Sequence, residues 1–420
     1  QDWIQLDVFG RTDNAYRWSG ETDVFEAIAD VKRRYRIDNR RITLWGFSMG
    51  GAGAWHLGLH HPSLWSSVGP GAGFVDFYDY QKQNEQLPPH QHQTLHIYDA
   101  IDYALNMFNV PVCTYGGELD AQLVASTKMI ERGKELGVDA KLLIGPGMGH
   151  KFHPDSYKEF MSFHIARSNE GRPRFPGRKQ IRFVTWTLKY NRCEWLTIEE
   201  MIRPYEETLA EGGVDDDGIL RLTTKNIAAL RIARDMADRI EIDGSSFPLR
   251  SAAEGLLPDV YFEQSADGWN LLEYDDSIAF SENPGRHKRH DLQGPIDDAF
   301  MDRFVFVRPT GQAAHPAVQT WTTNELDRAI EHWRRHFRGD AIVVDDVDVT
   351  DQMIQSDTHL VLWGDRFSNS LIAKIADDLP IQWTRSRITI GQQSWSAEDH
   401  APILIYPNPL NPERYVVLNS

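Results

Sequence analysis

"RRITLWGFSMGGAGAW", residues 40–55, passes from two arginines through a short apolar run into a serine set among glycines. "ITLWGF" has the composition of a buried strand, and "GGAGAWHLGLHH" reads as the helix after it, stopped by Pro62. Gly46, Ser48 and Gly50 fit the spacing G-x-S-x-G. Glycine and serine are common enough that the spacing alone decides nothing. Its position carries more weight, because a tight turn between a strand and a helix can hold a serine hydroxyl clear of the backbone. Gly50, Gly51 and Gly53 are expected to let the helix lie close to neighbouring strands, where side chains would intrude.

Reading outward, "QDWIQLDVFG" (1–10) is expected to be a strand. "TDVFEAIADVKRRY" (22–35) places Val24, Ile28, Val31 and Tyr35 at helical spacing, with Thr22 as its N-cap. Acidic residues at its start and basic ones at its end suit the helix dipole. Residues 74–97, including "QKQNEQLPPHQHQ", show no period and are expected to form a long excursion above the sheet. "NVPVCTYGG" is the next strand. "LVASTKMIERGKELG" follows as a helix with Val124, Met129, Ile130 and Leu136 inward. "AKLLIGP" is a further strand, and "PDSYKEFMSFHIA" a last helix. This alternation predicts an α/β class with a mostly parallel sheet covered by helices.

A serine hydroxyl needs an adjacent base, and the base needs orienting. Hydrolases of the α/β type keep the chain order serine, acid, histidine, with the last two on loops after later strands. Asp120 follows "NVPVCTYGGEL" and His150 follows "AKLLIGPGMG", each just past a predicted strand. Glu118 is a second candidate for the acid and His153 for the base. His56, His60 and His61 are expected on an ordinary face of the helix after Ser48. His90, His92 and His96 cluster in the polar excursion, where a solvated loop is the plainer reading than a metal site. "DDDG" (215–218) and "DDVDVTD" (345–351) lack EF-hand spacing and read as surface loops. No metal and no cofactor is expected.

Together "ITLWGFSMGGAGAWHLGLHHP", "VCTYGGELD" and "GPGMGHKF" resemble the catalytic domain of prolyl-oligopeptidase-type serine hydrolases, over residues 1 to about 165. The resemblance implies an α/β-hydrolase fold, with Ser48 as nucleophile, Asp120 as orienting acid and His150 as base. The Met49 backbone amide, next after the nucleophile, would then donate to the oxyanion. That fold carries further strands before "WIQLDVFG", and the loop after the third supplies a second oxyanion donor. The reading is therefore of an N-terminally truncated piece, with any export leader in the missing part and the compartment left open.

Residues 167–179, "RSNEGRPRFPGRK", are expected to be a linker that closes a hydrolase domain at 1–166. Beyond it "IRFVTWTLKY" alternates, with Val184, Trp186, Leu188 and Tyr190 on one face, and "DRIEIDGSSFPL" reads as a hairpin with an Asp-Gly turn. A β-rich domain is expected over 180–290, and a small mixed α/β region over 291–420. The formal charge is −17, with 61 acidic against 44 basic side chains. That sign disfavours nucleic acid as a partner. No run of 18 apolar residues exists to span a membrane. Two distant cysteines, Cys113 and Cys193, exclude a disulfide framework. The expected partner is a peptide or ester substrate, cleaved through an acyl-enzyme. A carboxylesterase acting on carbohydrate-linked or aryl esters, or a catalytically silent binding protein, is the alternative, and oligomeric state is open.

Overall fold

A computed structural model describes residues 3–249, 257–282 and 287–419. The chain divides into two compact units: residues 14–17 with 24–290, and residues 1–13, 18–23 and 291–420. In the first, four parallel strands lie in the order β1 (Thr43–Phe47), β2 (Ser67–Gly71), β3 (Cys113–Gly117) and β4 (Lys141–Gly145). Helices alternate with them: α1 (Ser19–Arg34), α2 (Met49–His60), α3 (Phe77–Gln81), α4 (Pro89–Leu95), α5 (Leu123–Glu135) and α6 (Pro154–Glu170). Cys113, Tyr115, Leu143 and Phe160 pack together between sheet and helix. This is the parallel α/β arrangement that the alternation predicts.

Several local expectations are corrected. Residues 3–10 form no strand: Trp3, Ile4 and Leu6 are exposed and the backbone there joins no ladder. Gln1 and Asp2 of that expectation lie outside the described residues. Helix α1 begins at Ser19, so Thr22 sits inside it and its hydroxyl donates to the Met301 carbonyl (2.9 Å). Val124 points outward while Ala125, Ser126, Met129 and Gly133 are buried. The polar excursion folds into α3 and α4 followed by a 3-10 turn at Ala100–Phe108. Local chemistry explains this: Asp76 caps α3 by accepting from the Asp79 amide, and Pro89 opens α4 at a position that needs no N–H donor. His56 and His60 lie sealed in the interior, the His60 ring bonding the carbonyls of His56 (2.6 Å) and Ile97 (2.9 Å).

After α6, residues 171–179 run without regular structure into a sandwich of two five-stranded sheets. One has the order β14 (Gly268–Leu271), β13 (Asp259–Ser265), β10 (Ile227–Ala233), β7 (Leu196–Met201), β6 (Arg192–Cys193). The other runs β12 (Ser245–Pro248), β11 (Arg239–Ile242), β9 (Ile219–Lys225), β8 (Thr208–Val214), β5 (Gln180–Thr185). Ile181, Phe183, Ile198, Leu222, Leu230, Ile240 and Phe262 fill the space between them, with the alternation that a sheet buried on one face requires. Strand β5 stops at Thr185, so Val184, Trp186, Leu188 and Tyr190 do not share one strand face as expected. Asp243 and Gly244 join β11 to β12 with φ of 48° and 88°, the left-handed pair an Asp-Gly hairpin needs. Asn106 clasps the sandwich to the helical layer, donating to the Leu59 and Val184 carbonyls (2.8 and 2.9 Å) and accepting from the Val184 amide. Helix α7 (Tyr274–Glu282) follows β14.

The second unit is a three-layer α/β fold. Its sheet has the order β16 (Val343–Asp345), β15 (Phe304–Arg308), β17 (His359–Trp363), β22 (Asn411–Asn419), β21 (Ile403–Asn408), parallel except for the β21–β22 pair. Leu326 of α8 (Pro316–Phe337) joins one face cluster. The other holds Ile354 of α9 (Asp351–Ile354) and Leu371, Ile372 and Ile375 of α10 (Ser370–Ile375). Strands β18 (Gln382–Trp383), β19 (Arg387–Ile390) and β20 (Gln393–Ser396) form a small separate sheet. Both acidic runs have ordinary roles: Asp215 accepts the amides of Asp217 and Ile219 in a turn, and Asp346 accepts those of Thr310 and Ser370. No helix among the described residues is long and apolar enough to cross a membrane.

One buried group makes the first unit acid-sensitive. His164 of α6 is 1% exposed, bonds the Ser67 hydroxyl through Nδ1 (2.8 Å), and burial lowers its pKa to about 4. The unfolded chain takes up this proton near the ordinary 6.5. Between those values the folded state holds fewer protons, so stability falls as pH drops through the window, by about 3 kcal/mol in total. Urea midpoints at pH 7.5 and 4.5 should differ, and the difference should shrink in His164→Leu.

Candidate active site

Ser48 lies between β1 and α2 with φ 59° and ψ −118°, a conformation that costs a side-chain-bearing residue of order 1–3 kcal/mol. The surroundings hold it there. The Ser48 amide donates to the Gly71 carbonyl of β2 (2.8 Å), and its carbonyl receives the Ala52 amide (3.0 Å). Glycine is needed on both sides of the turn: a Cβ on Gly46 would sit 2.2 Å from the Gly50 carbonyl oxygen, and one on Gly51 2.1 Å from that of Gly71. The expectation for Gly50 itself is corrected, since a Cβ there meets nothing within 4 Å. Met49 opens α2, and first-turn amides have no acceptor within a helix, so its N–H makes no bond inside α2.

The loops after β3 and β4 bring the other two predicted residues to Ser48. His150 Nε2 lies 2.7 Å from Ser48 Oγ, and His150 Nδ1 2.8 Å from Asp120 Oδ2. The Asp120 side chain is 5% exposed and that of His150 45%, so a shielded carboxylate faces a partly exposed imidazole. Asp120 is steadied by the Gln122 amide, which donates to Oδ1 (3.0 Å). Phe47, the residue before the serine, packs its ring 4.9 Å from that of His150 and 5.1 Å from Phe152.

The rival candidates serve other purposes. Glu118 accepts the Gly147 amide (2.7 Å), while the Leu119 amide donates to the Met148 carbonyl (2.8 Å); together they staple the acid-bearing loop to the histidine-bearing one. His153 caps α6, accepting the Asp155 amide. The Tyr115 hydroxyl accepts the His153 amide and donates to the Lys151 carbonyl (both 2.8 Å), clamping the chain just past His150. Glu118 as a loop staple, and the Tyr115 clamp, were not readable in advance. Each acts on residues brought together by the fold and not by spacing in the chain.

Of the excursion histidines, His92 and His96 bring their rings within 5.6 Å of each other, and each has a further partner. His92 meets the Tyr78 hydroxyl (3.0 Å), His90 is exposed, and His96 pairs with Asp102 (2.7 Å) and stacks on Trp186 at 4.1 Å. The bond to Asp102 raises the His96 pKa against a smaller opposing effect of burial. No group of three or more His, Cys, Asp or Glu side chains suited to a metal occurs among the described residues.

Residues 14–165 match the family model described as the prolyl oligopeptidase family. Comparison with curated proteins gives no match. Among solved structures, a ferulic acid esterase is similar at 17% identity and TM-score 0.29, covering 36% of this chain and 61% of that one. The esterase PE8 is similar at 20% identity and TM-score 0.27, covering 39% and 67%. A protein described as a dipeptidyl aminopeptidase IV, from Bacteroides ovatus, is similar at 14% identity and TM-score 0.32, covering 38% and 24%. The chain thus spans less than two thirds of the first of these.

The contrast between the two acids is measurable. Asp120→Asn should slow acylation by an activated ester about 1,000- to 10,000-fold, because the imidazole loses its orienting charge. Glu118→Ala removes a single bond to a charged group and should cost about 10- to 100-fold. Stopped-flow release of p-nitrophenol checks both, and a reversed order would make Glu118 the acid.

Proposed function

We propose that this chain, whose residues 14–165 carry the prolyl oligopeptidase family pattern, is a serine hydrolase that cleaves a peptide or ester bond through an acyl-enzyme. The observation that carries the reading is the unbroken line from Ser48 Oγ through the His150 imidazole to the Asp120 carboxylate, at 2.7 and 2.8 Å. His150 Nε2 takes the Ser48 proton as Oγ attacks the carbonyl carbon, and Asp120 holds the Nδ1–H tautomer and stabilises the imidazolium. The Met49 amide donates to the developing oxyanion, a role worth about 100- to 1,000-fold in turnover for one donor. The imidazolium then protonates the leaving amine or alcohol. Water, deprotonated by the same ring, releases the acyl group and restores the hydroxyl. No cofactor enters this scheme.

The leaving group distinguishes peptidase from carboxylesterase, because both share every step up to its departure. Parallel assays on p-nitrophenyl acetate and on a proline-containing peptide anilide sort the two. In either case Ser48→Ala should lower turnover by at least about 10,000-fold without loss of the folded signal. Turnover in that variant close to the parent's would reject Ser48 as the nucleophile.

A further inference from the structure

Arg17 is a half-buried cation without an ion-pair partner: among the described residues no carboxylate lies within 4.0 Å of it. Its guanidinium sits over the Phe74 ring, 5.1 Å from the centroid, and makes one long bond, Nε to the Asn14 carbonyl at 3.4 Å. Buried charges are ordinarily paired, since an unpaired one forfeits hydration without compensation. The other acids near this excursion have cations of their own. Lys128 bridges Asp76 and Asp79, and Asp102 holds His96. Asp99, whose charge acts most strongly on Arg17 among its neighbours, does not bond it. Asp99 is 6% exposed; Oδ2 accepts the Phe77 amide and Oδ1 has no partner at all. A guanidinium without an ion-pair partner and a buried carboxylate oxygen without a hydrogen bond thus occur in the same region.

Their place in the fold borders α2, the helix that follows Ser48. Gly53, on the second turn of α2, lies against the Tyr16 ring and the Ala15 carbonyl, immediately before Arg17. Phe74 follows Gly73, which backs onto the Gly51–Ala52 peptide of the same helix. The backbone reaches this arrangement at a cost, because Ala15 and Tyr16 both have positive φ (58° and 57°), a region side-chain-bearing residues avoid and which clusters at functional sites. Tyr80, stacked on Phe74 at 3.8 Å, is 45% exposed.

We infer that Arg17 is a specificity residue that receives a carboxylate of the substrate, so that the preferred substrates of Ser48 are acids whose anionic group is held beside the scissile bond. A guanidinium presents paired N–H donors that match a carboxylate bidentately, and the low dielectric strengthens the pair. Burial raises the Asp99 pKa to about 7, which lets this carboxyl stay protonated beside a second anion. This inference rests on the hydrolase reading above.

The test compares esters that differ only in charge: p-nitrophenyl acetate against mono-4-nitrophenyl succinate, and phenyl acetate against 4-acetoxybenzoate for a carboxylate on the leaving side. The anionic member of at least one pair should be preferred. Arg17→Gln should lower kcat/KM for that member about 10- to 100-fold, largely through KM, and leave the neutral member within about 3-fold. Melting temperature should hold in Arg17→Gln, since the guanidinium makes one long hydrogen bond and no ion pair among the described residues. Hydrolysis of both neutral esters with no preference for either anionic one would overturn the inference while leaving the hydrolase intact. Equal losses on charged and neutral esters with a lowered melting temperature would also overturn it, assigning Arg17 a structural role. Calorimetry with succinate and benzoate on the Ser48→Ala protein reads the site without turnover: Arg17-dependent binding of either supports the inference, and no binding of both rejects it.

Discussion

The short hydrogen bond from the Ser48 amide to the Gly71 carbonyl is the constraint on which the site depends. It can form only because α2 approaches β2 closely enough for the α-carbon of Gly51 to touch that same carbonyl, a distance no Cβ tolerates. That approach fixes the turn, and the turn fixes the direction of the hydroxyl. The strain in Ser48 is offset by packing around α2, almost all of which is buried from Gly51 to His60. A nucleophile on a flexible loop would avoid the strain, but its oxygen would not be held within hydrogen-bond distance of a base delivered by a different strand.

His150 is held by a second set of contacts that leave the serine alone. Glu118 and Leu119 tie the β3 loop to the β4 loop, and Tyr115 closes the chain past His150. These bonds join the loops that carry Asp120 and His150, and the Phe47 ring packs against both the imidazole and Phe152. The His150 side chain is itself 45% exposed.

Much of this was legible in the residues. The strand–Ser–helix junction, the order of Ser48, Asp120 and His150, the Asp-Gly hairpin and the parallel α/β alternation all follow from local chemistry and spacing. What escaped depended on partners distant in the chain. Glu118 and Asp120 are equally placed by sequence, and only the Gly147 amide separates a loop staple from the carboxylate that meets the imidazole. The apolar run at 3–10 looks like a strand, yet a strand exists only where a neighbour completes its ladder. His56 and His60 look like surface residues on a glycine- and alanine-rich helix, but such a helix sinks into the core, and at least the His60 ring nitrogens find backbone carbonyls there. Arg17 carried no signal at all, because an arginine in a polar loop is ordinary until its burial is known.

The most direct measurement is mass-spectrometric mapping of the chain after reaction with a fluorophosphonate. One phosphonyl group on the peptide that contains Ser48, absent when His150 is replaced by alanine, is the predicted result. A chain that hydrolyses ester while Ser48 stays unmodified, or a label on a different side chain, would contradict the account.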